Sequence, residues 1–219
     1  PLRLRQCVTA FAMTTPACVG LALSWPLSPV SDLMSFLGLV GSGLILALPF
    51  VWAGAALTLA LTRAGLPPAR AYGVDLLGAA AGCLVIIPLL DAVDAPSAAL
   101  AASVVAALAA LCFARAAGRA LLAPSVLVVA LSLLTLGNAV SQPSPLRPAW
   151  VKGVRERPEW FEYLGWNTFS RVTVHKSVTQ PPTLWALGRH TPASVLAPIE
   201  QRTILIDGAA GTVMARLGT

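Results

Sequence analysis

The chain has 219 residues, of which 57% are hydrophobic and only 11% are charged. Soluble domains carry about 25% charged residues, so this composition excludes an ordinary soluble protein and favours an integral membrane protein. The formal net charge is +6, but the basic residues are scattered along the chain instead of forming one dense patch. That scatter argues against a nucleic-acid partner.

Five apolar segments are long enough to cross a bilayer, which takes ~20 predominantly apolar residues in a helix. The predicted helices run from Gln6 to Trp25, Leu33 to Leu61, Tyr72 to Leu90, Pro96 to Ala114 and Ala120 to Val140. The second segment is too long for one perpendicular crossing and contains Pro49, so we expect a tilt or kink there. The sequence therefore predicts a transmembrane helical domain over residues 1–141, with the lipid bilayer as its partner.

The charges between the predicted helices alternate in sign from one joint to the next. Alternate joints carry the basic residues Arg3, Arg5, Arg63, Arg70, Arg115 and Arg119. The intervening joints carry the acidic residues Asp32, Asp91 and Asp94. Under the positive-inside rule the basic joints face the cytoplasm, and five crossings then put the polar tail outside. The tail itself begins with residues that favour the cytoplasm, namely Arg147, Lys152, Arg155 and Arg157, so its side of the membrane stays open.

The segment from Arg70 to Gly82 concentrates three features at the start of the third predicted helix. Gly78 and Gly82 form a small-x-x-x-small face, which lets another helix, or a second copy in a homo-oligomer, approach closely. Asp75 lies about one turn into the apolar helix, where a carboxylate needs a partner or water. We interpret Arg70, Tyr72 and Asp75 as a polar anchor, because Tyr72 shares the face of Asp75 and Arg70 reaches in from the interface. A ligand or proton site at Asp75 is the alternative.

The cysteine and histidine patterns predict no metal site and no disulfide. The cysteines lie in apolar segments without C-x-x-C spacing or a nearby histidine, and they are Cys7, Cys18, Cys83 and Cys112. We interpret them as small buried hydrophobic residues. His175 and His190 are isolated from any nucleophile pattern or acidic partner. The residues alone therefore indicate no catalytic constellation.

Residues 142–219 have the polar composition of a water-facing module. The mixed-charge stretch Val151 to Tyr163 is expected to lie on the membrane surface or to form a short helix. Phe169 to Val174 alternates apolar and polar residues at a period of two, which predicts a strand. Thr183 to Leu187 is a candidate partner strand.

A β-hairpin is predicted near the end of the chain. Thr203 to Ile206 is a short apolar strand that ends in the tight-turn pair Asp207–Gly208, and Gly211 to Met214 can return as its partner. The predicted fold class is therefore mainly α, with a multi-pass bundle of about five helices followed by a small antiparallel β module.

Four motifs occur together and in order along the chain. The membrane half contains Pro49–Phe50 inside an apolar helix, followed by Arg70 to Gly82. The water-facing half contains Trp166 to Val172, followed by Ile206–Asp207–Gly208. On these motifs the chain resembles the membrane-bound bacterial members of the spermidine synthase-like (polyamine aminopropyltransferase) family. The resemblance covers most of the chain.

The resemblance implies a transferase of polyamine biosynthesis. Its reaction would move an aminopropyl group from decarboxylated S-adenosylmethionine, the co-substrate, to a diamine such as putrescine. The family fold places a small β domain before a Rossmann-like core, so we expect residues 142–219 to be an incomplete β part, with the catalytic acids beyond Thr219. Because the donor is cytosolic, the resemblance also implies a bacterial inner membrane location with the module on the cytoplasmic side.

Positions that shape the substrate site in the soluble synthases differ in this chain. Where those enzymes carry Tyr-Gln in the first β motif and Gln three residues after Asp-Gly, this chain has Phe169–Ser170 and Gly211. Together with Asp207 these are the candidate substrate-binding residues, and they offer fewer hydrogen bonds to a polar substrate. The alternative function is a membrane transporter or scaffold whose polar part is a sensor or partner-binding module.

Overall fold

The computed structural model describes residues 2–26, 29–63, 65, 67–183, 190 and 192–215. Its first part consists of the helices α1 (Leu2–Ser24), α2 (Leu33–Arg63), α3 (Pro68–Ala92), α4 (Ala95–Ala116) and α5 (Leu122–Val140). By length and composition, each of these helices is able to cross a membrane. They confirm the five predicted helices to within a few residues, and α2 continues as one helix through Pro49.

The core of the bundle is built largely from small residues. Ala12 of α1, Ala106 and Ala107 of α4 and Leu131 of α5 are buried together. Alanine at such positions lets helix backbones approach closely where lipid supplies no hydrophobic driving force. α4 packs against both α1 and α5, and α2 packs against α1. α3 is peripheral, because residues 74–88 are all exposed.

Acidic side chains begin two of the helices. Asp32 Oδ1 accepts a hydrogen bond from the Ser35 N–H at 2.8 Å before α2, and Asp94 Oδ1 accepts one from the Ser97 N–H at 2.7 Å in α4. The backbone hydrogen bond from Ser35 lowers the pKa of Asp32. The stabilising effect of this cap is therefore complete above the ordinary pKa of an aspartate and is lost as the pH falls through the lowered value.

The second part of the chain is an antiparallel β module. Its strands are β1 (Trp150–Val151), β2 (Val154–Arg155), β3 (Phe161–Trp166), β4 (Arg171–His175), β5 (Val178–Gln180), β6 (Ile199–Ile206) and β7 (Ala210–Ala215). β1 and β2 form a separate hairpin. In the larger sheet, β4 and β5 follow each other along one edge of β6, and β7 pairs with its other edge. β3 pairs with the outer edge of β4.

The described strands confirm the predicted strand at Phe169 to Val174 and the predicted hairpin, and they add strands that were not predicted. The strand predicted at Phe169 to Val174 corresponds to β4, and the predicted hairpin is β6 and β7. Residues 184–187 of the expected partner strand lie outside the described residues. β4 pairs with β3, which begins within the stretch Val151 to Tyr163. The expected short helix occurs within this stretch as a 3₁₀ helix at Pro158–Trp160, and the strand that follows it forms because of cross-strand contacts with β4.

Gly208 is required by the turn between β6 and β7. Its φ is +77°, and a Cβ at this position would overlap the side chain of Val151 in β1. We expect Gly208→Ala to lower the free energy of unfolding of the β module by about 1–3 kcal/mol, measured by amide hydrogen exchange in detergent. Gly118→Ala, measured by exchange of the amides around the joint between α4 and α5, is the control for positive φ alone, since Gly118 has φ +59° but a Cβ there would meet no described atom within 4 Å. An equal effect of the two changes would refute the role of the Val151 contact.

Candidate functional site

Two hydrogen bonds join the turns at one end of the sheet. The Arg171 N–H donates to Asp207 Oδ1 at 2.9 Å, and the Asp207 N–H donates to the Arg171 carbonyl at 2.9 Å. The turn between β3 and β4 and the turn between β6 and β7 therefore form one unit. The motifs Trp166 to Val172 and Ile206 to Gly208 are in direct contact, although the bonded residues are 36 positions apart.

The turn between β3 and β4 is organised by Asn167. Its Oδ1 accepts hydrogen bonds from the backbone N–H groups of Phe169 and Ser170, both at 2.8 Å. This is the local side-chain-to-backbone pattern that asparagine favours in turns. Phe169 is 92% exposed as a result, and Ser170 is half-buried. The aromatic ring at the first candidate position therefore points away from the sheet.

The candidate position Gly211 lies in β7 opposite Leu205. A Cβ there would stand 2.8 Å from the Leu205 side chain, so a glutamine, as in the soluble synthases, would require Leu205 to move. Phe169, Ser170, Asp207 and Gly211 thus share one end of the sheet. None of them lines the cavities found where the module meets the bundle.

A buried ion pair lies behind this end of the sheet, and the sequence patterns did not indicate it. Arg171 Nη1 and Nη2 bind the two carboxylate oxygens of Glu156 at 3.1 and 2.6 Å. The two side chains are only 5% and 11% exposed. The guanidinium lies over the Phe161 ring at 5.9 Å, and that ring meets His175 edge-on with centroids 5.0 Å apart. Arg171 therefore links β4 to the segment after β2.

The β module is attached to one end of the bundle. Asp91, in the last turn of α3, accepts hydrogen bonds from the N–H and the hydroxyl of Thr168 at 3.0 and 2.7 Å. The Ala149 N–H donates to the Leu23 carbonyl in α1 at 2.9 Å. The turn between β3 and β4 is thus held at the ends of the long apolar helices, where headgroups would lie.

The bundle end that carries the module is acidic. Asp32, Asp91 and Asp94 lie at this end. The six basic residues of the joints lie at the opposite helix ends, as the alternating directions of the helices require, and they are Arg3, Arg5, Arg63, Arg70, Arg115 and Arg119. The described helices therefore preserve the charge asymmetry that was predicted for alternate joints.

A polar cluster fixes the linker after α5 to the bundle. The Asn138 Nδ2 donates to Ser97 Oγ at 2.9 Å, and Asn138 Oδ1 accepts from the Leu146 N–H at 2.6 Å. Asp94 Oδ2 accepts from the Ser144 hydroxyl at 2.6 Å. Asn138 is 2% exposed. The sequence signal for this cluster is an amide side chain near the end of a mostly apolar helix. Such a residue indicates a buried hydrogen-bonding partner, and it is not among the site residues predicted from the sequence.

The predicted membrane anchor on α3 is not assembled within the described residues. Asp75 makes no hydrogen bond or ion pair to the described chain, and Arg70 and Tyr72 are exposed beside it. A Cβ at Gly78 or Gly82 would meet no described atom within 4 Å, so no described helix packs closely against this face. These contacts are missing among the described residues because α3 lies at the periphery of the bundle. Close packing at the two glycines stays a prediction for a partner helix.

The cysteines differ in their surroundings. Cys18 is buried, Cys7 is half-buried, and Cys83 and Cys112 are exposed on the outside of the bundle, so the prediction of burial is wrong for these last two. Exposure toward lipid still suits a small apolar side chain. Within the described ranges no three His, Cys, Asp or Glu side chains form a group able to hold a metal ion.

Comparison with known proteins adds no relative to this geometry. No family model matches the chain, no curated protein matches it, and no solved structure matches it. The family resemblance therefore rests on the four sequence motifs.

Proposed function

We propose that this chain is part of a membrane-tethered aminopropyltransferase of the spermidine synthase-like type. The observation that supports the proposal is the reciprocal pair of hydrogen bonds between Arg171 and Asp207. These bonds join the two motifs that carry the resemblance in the water-facing half. The attachment of Thr168 to Asp91 would then hold the synthase-like module at the bilayer surface.

The proposed reaction transfers an aminopropyl group from decarboxylated S-adenosylmethionine to a diamine such as putrescine. A new bond forms between the amine nitrogen and the aminopropyl carbon as the carbon–sulfur bond breaks. The sulfur leaves as a neutral thioether, and a carboxylate takes the proton of the attacking amine. Asp207 Oδ1 is occupied by the Arg171 N–H, so we assign Asp207 to turn formation instead of proton transfer.

The test uses the full-length protein in lipid nanodiscs. Isothermal titration with decarboxylated S-adenosylmethionine measures donor binding, and mass spectrometry after adding putrescine measures spermidine. Asp207→Asn is expected to retain activity, because its amide oxygen still accepts from Arg171, whereas Asp207→Ala is expected to lose it. Absence of both donor binding and spermidine would overturn the proposal.

A scaffold or transporter with a sensor or partner-binding module is the second candidate. It is favoured by the position of the module at the acidic end of the bundle, opposite the basic joints. If the basic joints face the cytoplasm, the module lies on the other side of the membrane from a cytosolic nucleoside donor. A module in that position would meet extracytoplasmic ligands or proteins.

Cysteine labelling in intact cells distinguishes the two candidates. In a variant without the four native cysteines, Thr179→Cys reports the module side, because Thr179 is exposed in β5. Arg119→Cys reports the opposite end of the bundle. Labelling of Thr179→Cys by a membrane-impermeant maleimide in intact cells would support the scaffold or transporter. Labelling of that site only after permeabilisation would support the transferase.

A further inference from the structure

A groove of about 610 Å³ runs between α1 and α5 on the outside of the bundle. Both helices pack against α4, and both begin at the basic end of the bundle, where the arginines of the joints lie. The groove follows their first turns, over residues 5–13 of α1 and 123–130 of α5. Met13 and Val126 on its walls are 59% and 57% exposed, so the groove opens toward the bilayer. Its volume lies within the roughly 300–1,000 Å³ of ligand sites.

The lining of this α1–α5 groove changes from polar to apolar with depth in the membrane. Arg5, Gln6 and Thr9 line its outer end, whereas Ala10 and Met13 line it farther along α1. At a rise of 1.5 Å per residue, Met13 lies about 12 Å deeper along the helix axis than Arg5. The side chains from α5 are all apolar, namely Ala123, Pro124, Val126, Leu127 and Ala130. A charged group followed by hydrocarbon is the order of groups in a phospholipid.

Arg5 is the charged residue at the outer end of the groove. It is half-buried, and within the described residues it forms no hydrogen bond and no ion pair. Its guanidinium is therefore available to a ligand, in contrast to that of Arg171, whose terminal nitrogens bind Glu156. Gln6 and Thr9 carry further side-chain donors beside it. Guanidinium groups bind phosphate oxygens through strong charge-assisted hydrogen bonds.

The charges around the groove favour a ligand with net negative charge. The described residues that line it include no carboxylate. Six arginines lie at this end of the bundle, and Asp75 is the one acidic residue among the described helix residues there. Under the positive-inside rule this end faces the cytoplasm, where the membrane leaflet carries anionic lipids. Basic pockets between spanning helices on that side bind anionic headgroups. A soluble anion would match only Arg5, whereas an anionic lipid also matches the apolar length of the groove.

We propose that the α1–α5 groove binds an anionic phospholipid. Its phosphate lies at Arg5, and one acyl chain follows the apolar side chains of α1 and α5. The groove is at the opposite end of the bundle from the β module, so the lipid site does not depend on the proposed transferase activity. Either proposal can fail without the other.

The test uses the purified, delipidated full chain in detergent. Native mass spectrometry measures the affinity for phosphatidylglycerol and for phosphatidylcholine with the same acyl chains, and glycerol phosphate is the probe without chains. We expect phosphatidylglycerol to bind about fivefold more tightly than phosphatidylcholine, because choline adds a positive charge beside Arg5. Arg5→Gln is expected to weaken phosphatidylglycerol binding about tenfold and to remove this preference, whereas Arg5→Lys keeps most of it. Arg63→Gln is the matched control, because Arg63 is an exposed arginine at the same end of the bundle that does not line the groove.

A second pair of variants tests the place of the acyl chain. Ala130 is exposed and lines the apolar part of the groove, so Ala130→Phe would fill it. We expect this change to weaken both lipids alike and to leave the ratio of their affinities unchanged. Val129→Phe is its control, because the neighbouring Val129 is exposed but does not line the groove.

Four results would overturn the lipid site. Equal affinity for the two lipids would show that charge does not select the ligand. Equal weakening by Arg5→Gln and Arg63→Gln would assign binding to the charge of the whole helix end. Glycerol phosphate that binds as tightly as phosphatidylglycerol would indicate a site for a free anion. If Ala130→Phe separates a dimer in the same spectra and leaves lipid binding unchanged, the groove holds a helix of a second copy instead.

Discussion

Replacing Glu156 with alanine is expected to lower the free energy of unfolding of the β module by about 3–5 kcal/mol. The change leaves the Arg171 guanidinium, 5% exposed, without the two carboxylate oxygens that bind it. A buried charge without its partner is far less favourable than the intact pair, because the surroundings cannot replace the water lost on folding. Hydrogen exchange of the amides of β3, β4 and β6, measured in detergent, would report the loss.

Glu162→Ala is the control for this prediction. Glu162 binds Arg202 at 2.7 Å, but the two side chains are 50% and 31% exposed. Water can solvate either group after the change, so we expect an effect of about 1 kcal/mol or less. Similar losses for Glu156→Ala and Glu162→Ala would contradict the conclusion that burial gives the Arg171 pair its importance.

Asn138→Leu is expected to lower the free energy of unfolding of the bundle by about 2–4 kcal/mol, because it leaves buried polar groups without hydrogen bonds while keeping the branched shape of the side chain. The Leu146 N–H and the Ser97 hydroxyl both lose hydrogen bonds to the amide. The linker that Asn138 holds should also become sensitive to protease. Thermal unfolding in detergent and limited proteolysis after Leu146 measure the two effects.

Thr135→Val, one helical turn away in α5, is the control for Asn138→Leu. The Thr135 hydroxyl donates only to the Leu131 carbonyl of its own helix, at 2.8 Å. Removing this hydroxyl leaves no distant polar group without a hydrogen bond. We therefore expect the free energy of unfolding to change by no more than about 0.5 kcal/mol. A bundle that tolerates Asn138→Leu equally well would show that the polar cluster does not hold the linker.

The helices and the last hairpin could be predicted because their signals are local. Apolar length alone marks a spanning helix, and Asp207–Gly208 marks a turn whose two residues both have positive φ in the structure. The pairing of β3 with β4 could not be predicted in the same way. Strand partners are chosen by contacts between segments, which no single segment contains.

The candidate site was predictable only in part, for the same physical reason. The motifs around Arg171 and Asp207 were recognised, but their mutual hydrogen bonds depend on the sheet register. Asn138 binds Ser97, 41 positions away in the sequence, and Leu146, 8 positions away. Neither separation is a helix or strand spacing that would predict the contact. For Asp75, the helix pattern predicted a nearby partner, yet α3 lies outside the bundle core and the position of a whole helix is set by distant packing.

Because α3 is exposed along residues 74–88, we expect the β module to respond to bilayer thickness. Residues 74–88 face outward, so the tilt of this helix follows the hydrocarbon around it. Asp91 in its last turn holds Thr168, so a tilt would displace the turn that contains Phe169 and Ser170. We expect hydrogen exchange at those two amides to differ between thin and thick bilayers, and Asp91→Ala to remove the difference. The membrane would then act on this protein as a mechanical input as well as a solvent.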